Sequence, residues 1–116
     1  MAADERISTV TGYEFAPDVF YEAERIASSF EMDIVRFVNS SFFDAPITDY
    51  QFVYFYKPFG NGFSEKMGAL LRKTGPGTIV LSRDFSDKNI FPRSLFKSIY
   101  TANAPYHGHF FGFIRK

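Results

Sequence analysis

At 116 residues the chain is long enough for one domain with a core and too short for two. An apolar fraction of 46%, with 16 Phe and 7 Tyr, excludes an intrinsically disordered polymer. Thirteen Lys and Arg balance thirteen Asp and Glu, their signs alternate along the chain without a basic stripe, and nucleic acid is therefore not indicated by charge.

No cysteine is present, which excludes a disulfide framework, a thiolate nucleophile and a cysteine metal site. No apolar run approaches the roughly 20 residues of a membrane span, and the first residues lack a signal-peptide pattern. A soluble, cytoplasmic protein without a membrane partner is expected.

Residues 1–6 are polar. Val10, Tyr13 and Phe15 in a β-branched context predict a strand over about Thr9 to Glu14. Pro17 suits a first helical position and Asp18 a helix N-terminus. Val19, Phe20, Ala23, Ile26, Ala27 and Phe30 then recur at helical spacing as one apolar stripe. Ile34 to Val38 reads as a second strand, Asn39-Ser40-Ser41 as turn chemistry, and Phe42 to Thr48 as a connection with a short helical turn.

The central stretch runs from Asp49 to Phe59. Five of the six residues from Phe52 to Lys57 are aromatic or β-branched, and none of the first five is charged. A strand covered on both faces is expected, ending where Pro58 brings no N–H to the ladder. Gly60 to Gly62 is loop at its carboxyl end, the position where open α/β sheets hold ligands. Ser64 to Arg72 predicts a helix with Ser64 as N-cap and Gly68 as its weak point. Thr74-Gly75-Pro76-Gly77 is a turn, followed by a strand over Thr78 to Leu81, a polar surface loop over Ser82 to Asn89 and a short helical turn near Phe91 to Phe96. Lys97 to Thr101 and Tyr106 to Arg115 are spaced to form an antiparallel pair. Strands alternating with helices make this an α/β chain with a mainly parallel sheet and helices on both faces.

The stretches Val10 to Pro17, Arg36 to Asp44, Tyr54 to Phe59 and Leu70 to Val80 resemble, in order and spacing, the second to fifth strands of class I S-adenosylmethionine-dependent methyltransferases. The terminal pair is similar to the antiparallel hairpin that closes that sheet. The resemblance implies a partial Rossmann-like methyltransferase sheet, a single truncated domain over residues 1–116 that lacks the family's first strand and glycine-rich loop. The cofactor it implies is S-adenosyl-L-methionine; the methyl acceptor is unknown.

By the same resemblance, Glu14 at a strand end is a candidate to accept hydrogen bonds from both ribose hydroxyls; its alternative is a solvated acid beside a helix start. Phe15 either flanks an adenine ring or enters the core, and the abundance of Phe favours the core. Ser41, followed by Phe42, stands where the family reads the adenine amino group, with Asp44 as the alternative if the loop is longer. Lys57, Pro58 and Phe59 fall at the substrate lip. Lys57 departs from the Asn or Asp of amino-methylating members, because an ammonium donates and cannot accept. His107 and His109 share a strand face but lack a third ligand, so no metal is assigned.

Two functions follow. One is a methyltransferase domain or fragment, whose chemistry rests on positioning donor and acceptor. The other is a truncated, non-catalytic interaction or dimerisation module. Loss of the first strand leaves the second and fourth strands with open edges, which invites a second copy or a complementing chain.

Overall fold

The computed structural model describes residues 8–56, 62–106 and 108–116. The chain groups into two units, Met1–Ala45 and Pro46–Lys116.

The first unit is a strand–helix–strand turn of chain: β1 (Val10–Tyr13), α1 (Pro17–Ser29) and β2 (Val35–Val38), then a single 3-10 turn at Phe42–Asp44. The two strands pair in parallel from Val10 opposite Val35 to Tyr13 opposite Val38. Gly12 sits opposite Phe37, and a Cβ on it would lie 2.7 Å from the Phe37 ring, so the ring occupies the space that glycine leaves. Pro17 starts α1 as expected, with Asp18 in the first turn. The helix ends at Phe30, where Glu31 turns left-handed at φ 52°. The Glu31 and Met32 amides donate to the Ser28 and Ala27 carbonyls, the paired bonds of a Schellman stop.

The apolar stripe of α1 is only partly covered. Ala27 is buried and Phe20 and Ala23 are half-buried, whereas Val19, Ile26 and Phe30 are exposed. Periodicity reports which residues share a face; it does not report what covers that face.

The second unit begins with a 3-10 turn at Ile47–Asp49 and continues through β3 (Phe52–Tyr56), α2 (Phe63–Leu71), β4 (Ile79–Arg83), β5 (Phe96–Ala104) and β6 (Gly108–Arg115). Its sheet order is β3-β4-β6-β5. β3 and β4 are parallel; β6 is antiparallel to both β4 and β5. The expected α/β class, the parallel pairs and the C-terminal antiparallel hairpin are therefore present. β5 runs to Ala104, three residues beyond the expected strand, with an irregularity between Ser98 and Tyr100.

The core of this unit is aromatic. Phe91 and Phe113 stack at 3.9 Å and 11°, and Phe96 meets Phe91 edge-on at 5.4 Å. Phe63, Met67, Leu70 and Leu71 bury one face of α2, and Val80 is fully buried on β4.

Three expectations are corrected here. The N-cap of α2 is Gly62, at φ 76°, and not Ser64. Ser64 lies inside the helix, where its hydroxyl donates to the Asp87 carboxylate at 3.3 Å. β3 is not covered on both faces: Phe55 is 7% exposed, but Phe52 and Tyr54 are 56% and 50% exposed. Side chains alternate across a strand, and only the Phe55 face meets the core. Ser82, expected in a surface loop, is fully buried on β4.

Gly68 has a packing reason. A Cβ there would lie 2.6 Å from the Asn89 carbonyl oxygen, so α2 approaches the 89–90 backbone more closely than any side chain permits. The expected turn at 74–77 is present: Gly77 adopts φ 89°, and its amide donates to the Arg115 carbonyl at 2.8 Å.

Candidate functional site

Glu14 leaves the end of β1 with its amide donating to the Val38 carbonyl at 3.0 Å, one ladder bond beyond the strand pair. Its carboxylate turns back along the chain, and Oε1 accepts from the Ala16 amide at 3.1 Å. Ala16 is the N-cap of α1 and supplies no side-chain acceptor of its own. Glu14 therefore steadies the helix start with one oxygen. Among the described residues, Oε2 has no hydrogen-bond donor.

Asn39 is turn chemistry by sequence, and in the structure its role is larger. Its side-chain amide donates to the Glu14 carbonyl at 3.0 Å and to the Phe15 carbonyl at 3.1 Å. Two donors on one amide thus hold the ends of β1 and β2 together. Only the pairing register reveals this, because 25 residues separate Asn39 from Glu14.

Ser41 follows in the same loop. Its Oγ accepts from the Phe43 amide at 3.3 Å and caps the 3-10 turn over Phe42–Asp44. Phe42 and Phe43 are half-buried and their rings lie 4.2 Å apart. Phe15 does not enter a core: it is 77% exposed. Asp44 is exposed within the 3-10 turn.

Glu14, Phe15, Ser41 and Phe42 are thus gathered at the carboxyl ends of two paired parallel strands. A carboxylate, a capping hydroxyl and two accessible rings at such an end suit a ligand with hydroxyls and a flat heterocycle. A different hollow of about 390 Å³ lies where α1 returns to β2 and includes Glu24, Glu31, Asp33 and Arg36. It contains none of the four expected residues. Lys57, Pro58 and Phe59, expected at the substrate lip, and His107 lie outside the described residues.

No protein-family model matches the sequence, and no curated protein is significantly similar to it. Solved structures do resemble the chain. An RNA methyltransferase from Salinibacter ruber, in complex with S-adenosyl-L-homocysteine, superposes with a TM-score of 0.74 at 22% identity over 92% of this chain and 65% of its own. A presumed methyltransferase from Escherichia coli gives 0.72 at 17% identity, over 94% of this chain and 64% of its own. A precorrin-6y C5,15-methyltransferase from Geobacter metallireducens gives 0.57 at 12% identity, over 93% and 67%. The chain thus spans about two thirds of the length of the first two, 65% and 64%. These likenesses show the fold: the chain has a partial, Rossmann-like class I methyltransferase fold. Among the described residues, no helix is long and apolar enough to cross a membrane.

Proposed function

We propose that this chain forms the adenosine side of an S-adenosylmethionine-dependent methyltransferase, with an acceptor that the fold does not specify. The observation that carries the reading is the Glu14 carboxylate. It stands at the end of β1 with one oxygen committed to the Ala16 amide, and Asn39 ties it to the loop that bears Ser41 and Phe42.

The residues suit the group in kind. A carboxylate accepts from two vicinal hydroxyls, a role that an amide fills less strongly because a charge-assisted bond is roughly twice a neutral one. Phe15 and Phe42 offer ring faces to a planar base, and the Ser41 hydroxyl accepts from or donates to its edge. The cofactor itself supplies the electrophilic methyl group. The chain's contribution is to hold the donor in line with an acceptor, so a lack of acid–base residues is no obstacle. Solved structures with this fold carry names that refer to RNA and to precorrin, so the fold alone leaves the acceptor open.

The test is calorimetric titration of the full chain with S-adenosylmethionine and S-adenosylhomocysteine, repeated on Glu14→Gln. Saturable binding that weakens about tenfold in the variant supports the reading. Absence of both heat and thermal stabilisation at millimolar ligand sinks it, because a ligand of the native state must stabilise that state.

A second reading, a non-catalytic interaction module, draws on the sheet edges. β1 is paired only with β2 and β3 only with β4 among the described residues, and each carries an exposed apolar side chain, Val10 on β1 and Phe52 on β3. An open edge accepts a strand from a second copy or from another chain. Light scattering of the purified chain separates the two: a dimer that persists at low micromolar concentration and does not respond to cofactor favours the module.

A further inference from the structure

The balanced charge of the chain conceals a segregation, and the alternation of sign expected along the chain holds only locally. Residues 46–116 hold ten Lys and Arg against four Asp and Glu, a net of +6; residues 1–45 hold three against nine, a net of −6. The second unit is therefore a strongly basic body of 71 residues within a neutral protein. Its own open cleft, about 680 Å³, carries four of those cations, Lys88, Arg93, Lys97 and Lys116, and no Asp or Glu side chain lines it. Lys88, Arg93 and Lys97 have no carboxylate partner among the described residues. The Lys116 ammonium is held at one side by the Arg93 carbonyl at 2.5 Å.

Between the cations the cleft is aromatic. Phe113, stacked on Phe91, is buried beneath it, and Phe111 beside them is half-buried and accessible. His109, exposed and two residues back on β6, holds its ring 6.4 Å from that of Phe111 at 23°. The hydroxyls of Ser86 and Ser98 complete the lining.

We infer that this cleft on the β5–β6 face binds single-stranded nucleic acid, with the four cations on successive phosphates and Phe111 as the platform for an unstacked base. Unpaired cations around recessed rings suit an alternating phosphate and base, and stacking on a sheet face tolerates any base. A duplex hides its base faces and has nothing to offer Phe111. A membrane surface calls for protruding apolar side chains, whereas these rings are recessed. The site lies wholly within the second unit, shares no residue with the Glu14 cluster and is proposed independently of cofactor binding.

The experiment is fluorescence anisotropy of a labelled twelve-nucleotide single-stranded RNA against the full chain, without cofactor, from 50 to 200 mM NaCl. Four phosphate contacts on a single strand predict a loss of affinity of roughly 50-fold across that range. Lys88→Glu with Arg93→Glu lowers the magnitude of the log–log salt slope by about 1.4. Phe111→Leu, which keeps apolar volume, weakens binding about tenfold with the slope unchanged. Arg72→Glu with Lys73→Glu removes the same charge outside the cleft and leaves the slope as it was. Circular dichroism melts identify any variant that fails to fold, and the Arg72/Lys73 pair then serves alongside competition by unlabelled RNA.

No binding at 50 mM NaCl overturns the inference. So does equal weakening by the two charge-reversal pairs, which would mean diffuse attraction to a basic body. Equal affinity for duplex, or for phosphatidylserine vesicles in place of RNA, overturns it as well.

Discussion

The two units of this chain reach order by different routes. Twelve apolar side chains are buried among the described residues, and eleven of them lie in residues 46–116; the first unit contributes Ala27 alone. The second unit therefore rests on a core of stacked rings and on α2. The first rests on a four-residue parallel ladder, a helix stop and two hydrogen bonds from Asn39. Backbone hydrogen bonds contribute modestly in net terms, and burial dominates. The difference teaches that the candidate cofactor end is built on the weaker half, where ordering by a ligand or a paired strand has the most to add.

The largest expected effect tests the stronger half. Leu71, with no exposed surface, loses its packing in Leu71→Ala, and global stability should fall by about 3 kcal/mol in urea unfolding. Native-state hydrogen exchange should at the same time show β1 and β2 amides exchanging faster than those of β4 and β6; equal protection would break the comparison.

Next comes the tie at the site. Asn39→Ala removes both bonds to the Glu14 and Phe15 carbonyls, at a cost of about 1–2 kcal/mol that should appear in the exchange of β1 and not of β4. Opposite in sign, Glu31→Gly relieves a left-handed backbone at φ 52° and should slow exchange in α1, a gain of about 1 kcal/mol confined to the first unit. In the second unit Ser82 carries a fully buried hydroxyl without a partner among the described residues, so Ser82→Ala should raise the urea midpoint by about 1 kcal/mol equivalent.

The smallest effect is a pH response of α1. Glu22 accepts hydrogen bonds from the Arg25 guanidinium, whose charge also favours the carboxylate, and its carboxyl is held below the ordinary Glu value. A lowered folded-state pKa stabilises above the unfolded value, and that contribution is lost as pH falls through the folded one. Both groups are exposed, so the loss is slight. An NMR titration of the Glu22 carboxyl should give a midpoint that rises in Arg25→Gln.

Much of the fold was legible because local chemistry decided it. Pro17 begins α1, the 74–77 turn precedes β4, and β-branched and aromatic runs form β2, β3 and β4. The order of motifs resembled a methyltransferase sheet, and the solved structures bear out that fold. Glu14 was legible as an acid at a strand end. Asn39 was not, since its partners lie across a pairing that no local pattern encodes.

The sequence by itself determined which segments become strands and helices, through proline, glycine and residue spacing, because those effects act within a few residues. Only the tertiary structure decided the rest. It gave the cap of α2 to Gly62 and freed Ser64 for Asp87, left Phe52 and Tyr54 exposed on β3, and required glycine at position 68 beneath the Asn89 carbonyl. Each of these depends on which distant residues share a space, and distance along the chain does not carry that information.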